Sequence, residues 1–141
     1  MSETPNQWFT YTMITLLFWG VSSFCTKLAT TYLKASNAYI YQIIGVLIVG
    51  VVAVFVVKFQ PAGKPTGILF ALAAGAVVTV GNFFFVGAMA SGRTAIVVMT
   101  TALYPLITLL LGFLILHEGI TLRQFLGIIL AIVAIYLLSG Q

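Results

Sequence analysis

Very few side chains in this sequence can carry charge or move a proton. Its only acids are Glu3 and Glu118, its one histidine is His117, its one thiol is Cys25, and aspartate is absent. No nucleophile stands beside a paired base, no spacing suits a metal, and no glycine loop suits a nucleotide phosphate. One cysteine forms neither an internal disulfide nor a cysteine metal cluster, and its place inside an apolar segment predicts a packing role. Neither an enzyme nor an ATP-driven pump is expected, and no cofactor or metal is expected either.

The residues left to act are neutral and polar. Thr12, Thr15, Trp19, Ser22 with Ser23, and Thr26 recur at three- to four-residue spacing and end beside Lys27. Gly75, Thr79 and Asn82 form a second series, Thr101, Tyr104 and Thr108 a third, and Tyr41 with Gln42 a short pair. At helical spacing each series marks one face, and in a lipid-embedded helix that face turns toward protein or water. The chemistry available is recognition of a solute by hydrogen bonds and ring faces. Trp19, Ser22, Tyr41, Gln42, Asn82, Thr101 and Tyr104 are therefore the candidate substrate-binding residues. Aromatic rings suit an aromatic, hydrophobic or cationic solute, and a neutral or zwitterionic metabolite fits equally well. The plainer alternative is that the hydroxyls bond to their own backbone or hold helices together, at about 0.6 kcal/mol each.

The elements that must position these residues follow from composition. Hydrophobic residues make up 62% and charged residues 6% of the chain, with a mean hydropathy of +1.19, against roughly 25% charged in soluble domains. The charges divide the sequence into five apolar runs, each long enough for a membrane span of about 20 residues. The expected fold is an all-α integral membrane protein, one domain over residues 1–141, with helices at about 8–30, 38–58, 66–90, 94–117 and 121–139. Five spans place the termini on opposite sides. The first span is preceded by Glu3 and by no basic residue, so it is expected to remain in the mature protein. The short connections leave no room for a soluble domain, so the bundle is expected to be the whole protein.

Charge gives no orientation. Lys58, Lys64 and Arg123 fall on the N-terminal side, and Lys27, Lys34 and Arg93 on the other. Cytoplasmic loops usually hold the excess of basic residues, so this tie reads either as chance or as insertion in both orientations. In the second case an inverted pair would reproduce the inverted repeat of many transporters.

Three residues have two readings each. Pro105, mid-span, removes an amide donor from its helix and leaves the Thr101 carbonyl without its usual partner. The consequence is either a static kink or irregular backbone lining a cavity, with a part in gating. Lys27 either snorkels to the interface or attracts an anionic substrate group. Glu118 serves as a structural cap at the turn into the fifth helix or, less simply, as a coupling group. The fifth span, with Gly127, Ala131 and Ala134, reads as a packing helix at the edge of the bundle.

From Gly87 through Ser139 the sequence closely resembles the C-terminal part of an EamA domain of the drug/metabolite transporter superfamily. The shared elements are a small-residue loop, Tyr104 and Pro105 in mid-helix, Glu118 just after an apolar run, Leu122, and Gly127 opening the last helix. Phe18-Trp19-Gly20 followed by Lys27 looks like the first helix of that family. Most members join two such domains, whereas this chain carries one. The resemblance therefore implies a homodimer, antiparallel if it is to recreate the inverted halves, with an interior lined by the first four helices and Glu118 mainly structural. Gln42 stands about where many relatives have Arg, so an inference about substrate charge does not carry over.

The sequence thus points to a secondary transporter or facilitator of a small organic solute, a metabolite or drug-like molecule, working by alternating access in a homodimer. A non-transporting accessory subunit and a flippase for a lipid or lipid precursor are the alternatives. Its expected partners are a small-molecule substrate, the lipid bilayer and a second, antiparallel copy, with no nucleic acid. A prokaryotic cytoplasmic membrane is the expected location.

Overall fold

The computed structural model describes residues 7–60, 63–119 and 121–139. Six helices follow one another: α1 (Gln7–Tyr32), α2 (Ala35–Val56), α3 (Pro65–Ser91), α4 (Thr94–Thr101), α5 (Tyr104–Ile115) and α6 (Leu122–Ser139), with no strand among the described residues. The protein is all-α and integral to the membrane. Its helices fall into two compact units, Met1–Ser91 and Gly92–Gln141.

In the first unit, α1, α2 and α3 have 26, 22 and 27 residues, about 39, 33 and 40 Å at 1.5 Å per residue. Each exceeds the roughly 30 Å hydrocarbon thickness. Only two residues separate α1 from α2, so the second helix must return along the first. Packing is densest where the C-terminal ends of α1 and α3 meet the start of α2. There Ala38, Val86 and Met89 are buried and Thr26 is 4% exposed. Elsewhere the large apolar side chains, such as Leu17, Phe18, Val49 and Phe70, are open to the surroundings. Lipid is the solvent that tolerates this.

The end of α2 comes at Val56 rather than at residue 58. Lys58 adopts a left-handed conformation, φ 52°. Phe59 N–H then donates to the Val54 carbonyl at 3.1 Å, and Lys58 N–H to that of Phe55 at 3.3 Å. This pair of bonds is a Schellman closure, usually built on glycine.

In the second unit, the expected fourth span is two helices. α4 has 8 residues and α5 has 12, about 12 and 18 Å, so neither crosses alone; together Thr94–Ile115 is long and apolar enough. The break falls at Ala102 and Leu103, before the proline. Both residues keep right-handed helical backbone, with ψ −4° and −7°. Tighter bonds bridge the break, Leu103 N–H to Thr100 O at 3.2 Å and Leu106 N–H to Leu103 O at 2.9 Å. Pro105 therefore lies in the first turn of α5, where a missing amide donor costs little. The expected mid-helix kink is a helix start.

α6 is shorter than the other spans, its apolar stretch running over Leu122–Leu137. Its N-terminus carries a reciprocal cap. Gln124 N–H donates to Thr121 Oγ1 at 3.3 Å, and Thr121 N–H donates to Gln124 Oε1 at 2.8 Å. This is the Thr-x-x-Gln capping box.

Candidate functional site

Most of the hydroxyls that gave the sequence its polar stripes donate to their own helix. Thr12 bonds to Trp8 O, Thr15 to Tyr11 O and Ser23 to Trp19 O on α1; Thr79 bonds to Gly75 O on α3. Thr101 Oγ1 donates to the carbonyls of Val97 and Val98 at 2.9 and 3.0 Å. Thr108 reaches Tyr104 O at 3.5 Å, too long for much strength. Threonine and serine in apolar helices satisfy themselves this way. What they still offer a ligand is acceptor lone pairs.

Among the described residues, polar contacts cross between helices of the first unit. Gln42 Nε2 donates to Thr26 Oγ1 at 2.8 Å, and Thr26 Oγ1 in turn donates to Ser22 O at 2.9 Å. Two of the predicted residues, Ser22 and Gln42, are thereby brought together through Thr26. Lys27 Nζ donates to the Met89 carbonyl at 2.8 Å. That carbonyl belongs to the last turn of α3, where the final four acceptors lack helical partners and the macrodipole favours a cation. Lys27 is partly buried and ties α1 to α3. Between α2 and α3, Tyr39 Oη donates to Thr79 O at 3.1 Å, and its ring meets Phe83 edge to face at 5.2 Å.

The other predicted residues of this unit keep much of their surface exposed. Trp19 is 56% and Tyr41 63% exposed, and Asn82 is exposed too. Cys25, expected to pack, is also exposed. An apolar hollow of about 330 Å³ lies nearby, lined by Ala35, Ser36, Phe83, Phe84, Gly87 and Ala88.

In the second unit Thr101, Tyr104 and Pro105 cluster around the α4–α5 break, with Tyr104 51% exposed. Pro105, Leu106 and Leu109 line one side of a 360 Å³ apolar groove whose other side is Gly127, Ile128 and Ala131 of α6. The small residues of α6 thus face the start of α5. Glu118 lies beyond the C-terminus of α5, past the left-handed His117 (φ 55°). Its N–H donates to Gly112 O at 3.2 Å, and its carboxylate folds over Gly112, where an added Cβ would stand 3.1 Å from Oε2. The cap of the next helix is made by Thr121 and Gln124.

Sequence reasoning missed Thr26 as a bonded hub, Tyr39, and the capping box. The box was visible as Thr121-Leu122-Arg123-Gln124 before an apolar run. Tyr39 and Thr79 stand 40 positions apart and left no local signal.

Comparison with known proteins agrees with this helical membrane architecture. The chain is 28% identical over 131 residues to an uncharacterized protein of Methanocaldococcus jannaschii, covering 90% of this chain and 92% of that one. No solved structure matches. The profile of the EamA-like transporter family matches residues 6–140, and the chain belongs to that family.

Proposed function

We propose that this chain is a secondary transporter or facilitator of a small organic solute, a metabolite or drug-like molecule. It works by alternating access as a homodimer whose second copy is inverted, in a prokaryotic cytoplasmic membrane. The observation that carries this reading is the exposure of Trp19, Tyr41, Asn82 and Tyr104 on apolar helices whose own residues are almost entirely unburied. An amide facing hydrocarbon without a partner costs several kcal/mol. A second subunit and an aqueous path between the two would remove that cost.

The residues match such a path. Trp19, Tyr41 and Tyr104 offer ring faces, Asn82 and Gln42 offer amides, and Ser22 and Thr101 offer hydroxyl oxygens. The α4–α5 break beside Tyr104 supplies a joint at which two short rigid helices can move separately, as transporter sites on interrupted helices do. Lys27 acts as a tie rather than as an anion attractor, and Glu118 as a local clasp. The back-bonded hydroxyls favour a second reading, an accessory subunit whose stripes only pack.

Solutes that raise the unfolding temperature of the purified protein identify ligands, and their uptake into proteoliposomes separates the two readings. Asn82→Leu and Tyr104→Ala lower uptake at unchanged protein level if the path is used. Unchanged uptake in both removes them from it. C-terminal reporters active only inside and only outside the cytoplasm both give signal if the chain inserts both ways; signal from one side alone removes the inverted pair.

A further inference from the structure

The hydrogen-bond chain through Thr26 has a direction, and that direction fixes what Gln42 shows to a ligand. The Thr26 hydroxyl proton goes to Ser22 O at 2.9 Å, so toward Gln42 its oxygen can only accept. The Gln42 amide must then turn its NH2 to Thr26, as the 2.8 Å contact shows. Either amide orientation fits the shape of a glutamine, but only one satisfies this chain. Gln42 Oε1 is left pointing away from the bond. It has no hydrogen-bond partner among the described residues, and no fully buried side-chain oxygen or nitrogen there lacks one, so Oε1 of the half-buried Gln42 is not sealed from its surroundings. Thr26, 4% exposed, is held too closely to swing away and release the lock.

We infer that Gln42 is a specificity-determining residue: its Oε1 is a fixed acceptor that selects solutes presenting an N–H or O–H donor. The inference rests on the transport reading. The next residue after Thr26 is Lys27, whose ammonium is held at the Met89 carbonyl. Its charge lies on the same packed end and weighs against a cationic donor. The selected group is therefore neutral, an amide or a hydroxyl. A solute offering only acceptors meets an oxygen facing an oxygen.

Benzamide and N,N-dimethylbenzamide test this, since both are neutral aromatic amides and only the first has N–H. Binding to the purified intact protein is measured by calorimetry in the wild type, Gln42→Leu and Thr26→Val. One neutral hydrogen bond predicts a preference of about three- to tenfold for benzamide in the wild type. The preference falls to within about twofold in Gln42→Leu. Thr26→Val frees the amide to flip, so the preference falls there while binding of N,N-dimethylbenzamide rises. A merely structural Thr26 would weaken both probes equally, and that result overturns the inference. So does equal binding of the two probes by the wild type, or binding of neither. The transport reading is judged separately, by thiol access at Asn82→Cys, which needs no ligand.

Discussion

Replacing Lys27 by methionine removes the ammonium while keeping most of the stem. Among the interactions lost is the 2.8 Å bond to Met89 O, a charged donor on a helix-end carbonyl. Hydrogen bonds to charged groups contribute about 1.5–3 kcal/mol, and a cation in the last turn of a helix about 0.3–1 kcal/mol of this kind. Met89 is fully buried, so water replaces the ammonium poorly. The expected loss is about 2 kcal/mol, roughly 30-fold in the folding equilibrium constant. Equilibrium unfolding in mixed micelles with rising dodecyl sulfate fraction measures it, and the fluorescence of Trp8 and Trp19, both on α1, reports the unit concerned. Lys34→Met is the control, because Lys34 precedes α2 without a side-chain cap bond and should change stability by less than about 0.5 kcal/mol. A Lys27→Met effect no larger than the control would refute the tie and restore snorkelling as the role of this lysine.

Two further substitutions probe the helix ends. Lys58→Gly relieves a left-handed side chain at φ 52°, a strain of about 1–2 kcal/mol; about 0.5–1 kcal/mol of glycine backbone entropy offsets part of it. A net gain of up to about 1 kcal/mol is expected in the same micelle unfolding, and a loss would show that the Schellman closure does not form. Thr121→Ala removes the capping box at a cost of about 1 kcal/mol. The Gln124 amide should then exchange hydrogen about fivefold faster, and unchanged exchange would contradict the cap.

The membrane spans were legible because they depend on the length and apolarity of continuous segments, and Gln7–Tyr32 through Pro65–Ser91 match the expected runs within a few residues. Pro105 signalled the interruption of the fourth span. Its placement could not be read, because a proline fits a helix start as well as a kink, and the choice lay in the backbone of Ala102 and Leu103. Polar spacing singled out Ser22 and Gln42 as candidates but not the link between them. Thr26, at the end of the same stripe, became a bonded hub only once α1 and α2 took a particular rotation. Lys27 and Met89 are 62 residues apart, and no local rule pairs a lysine with a distant carbonyl. The hydroxyl stripes overstated the open polar surface, since a threonine that bonds to its own helix has the same spacing as one that faces a solute.

The central proposal is that Asn82 and Tyr104 are each reached by water in a dimer of the chain. In protein carrying Cys25→Ser, single cysteines at positions 82 and 104 are exposed to a membrane-impermeant thiol reagent in sealed vesicles, with Phe84→Cys as a comparison on α3. The account predicts modification of Asn82→Cys and Tyr104→Cys well ahead of Phe84→Cys, slowed by any solute found to bind. Asn82→Cys and Tyr104→Cys as inert as Phe84→Cys would contradict it.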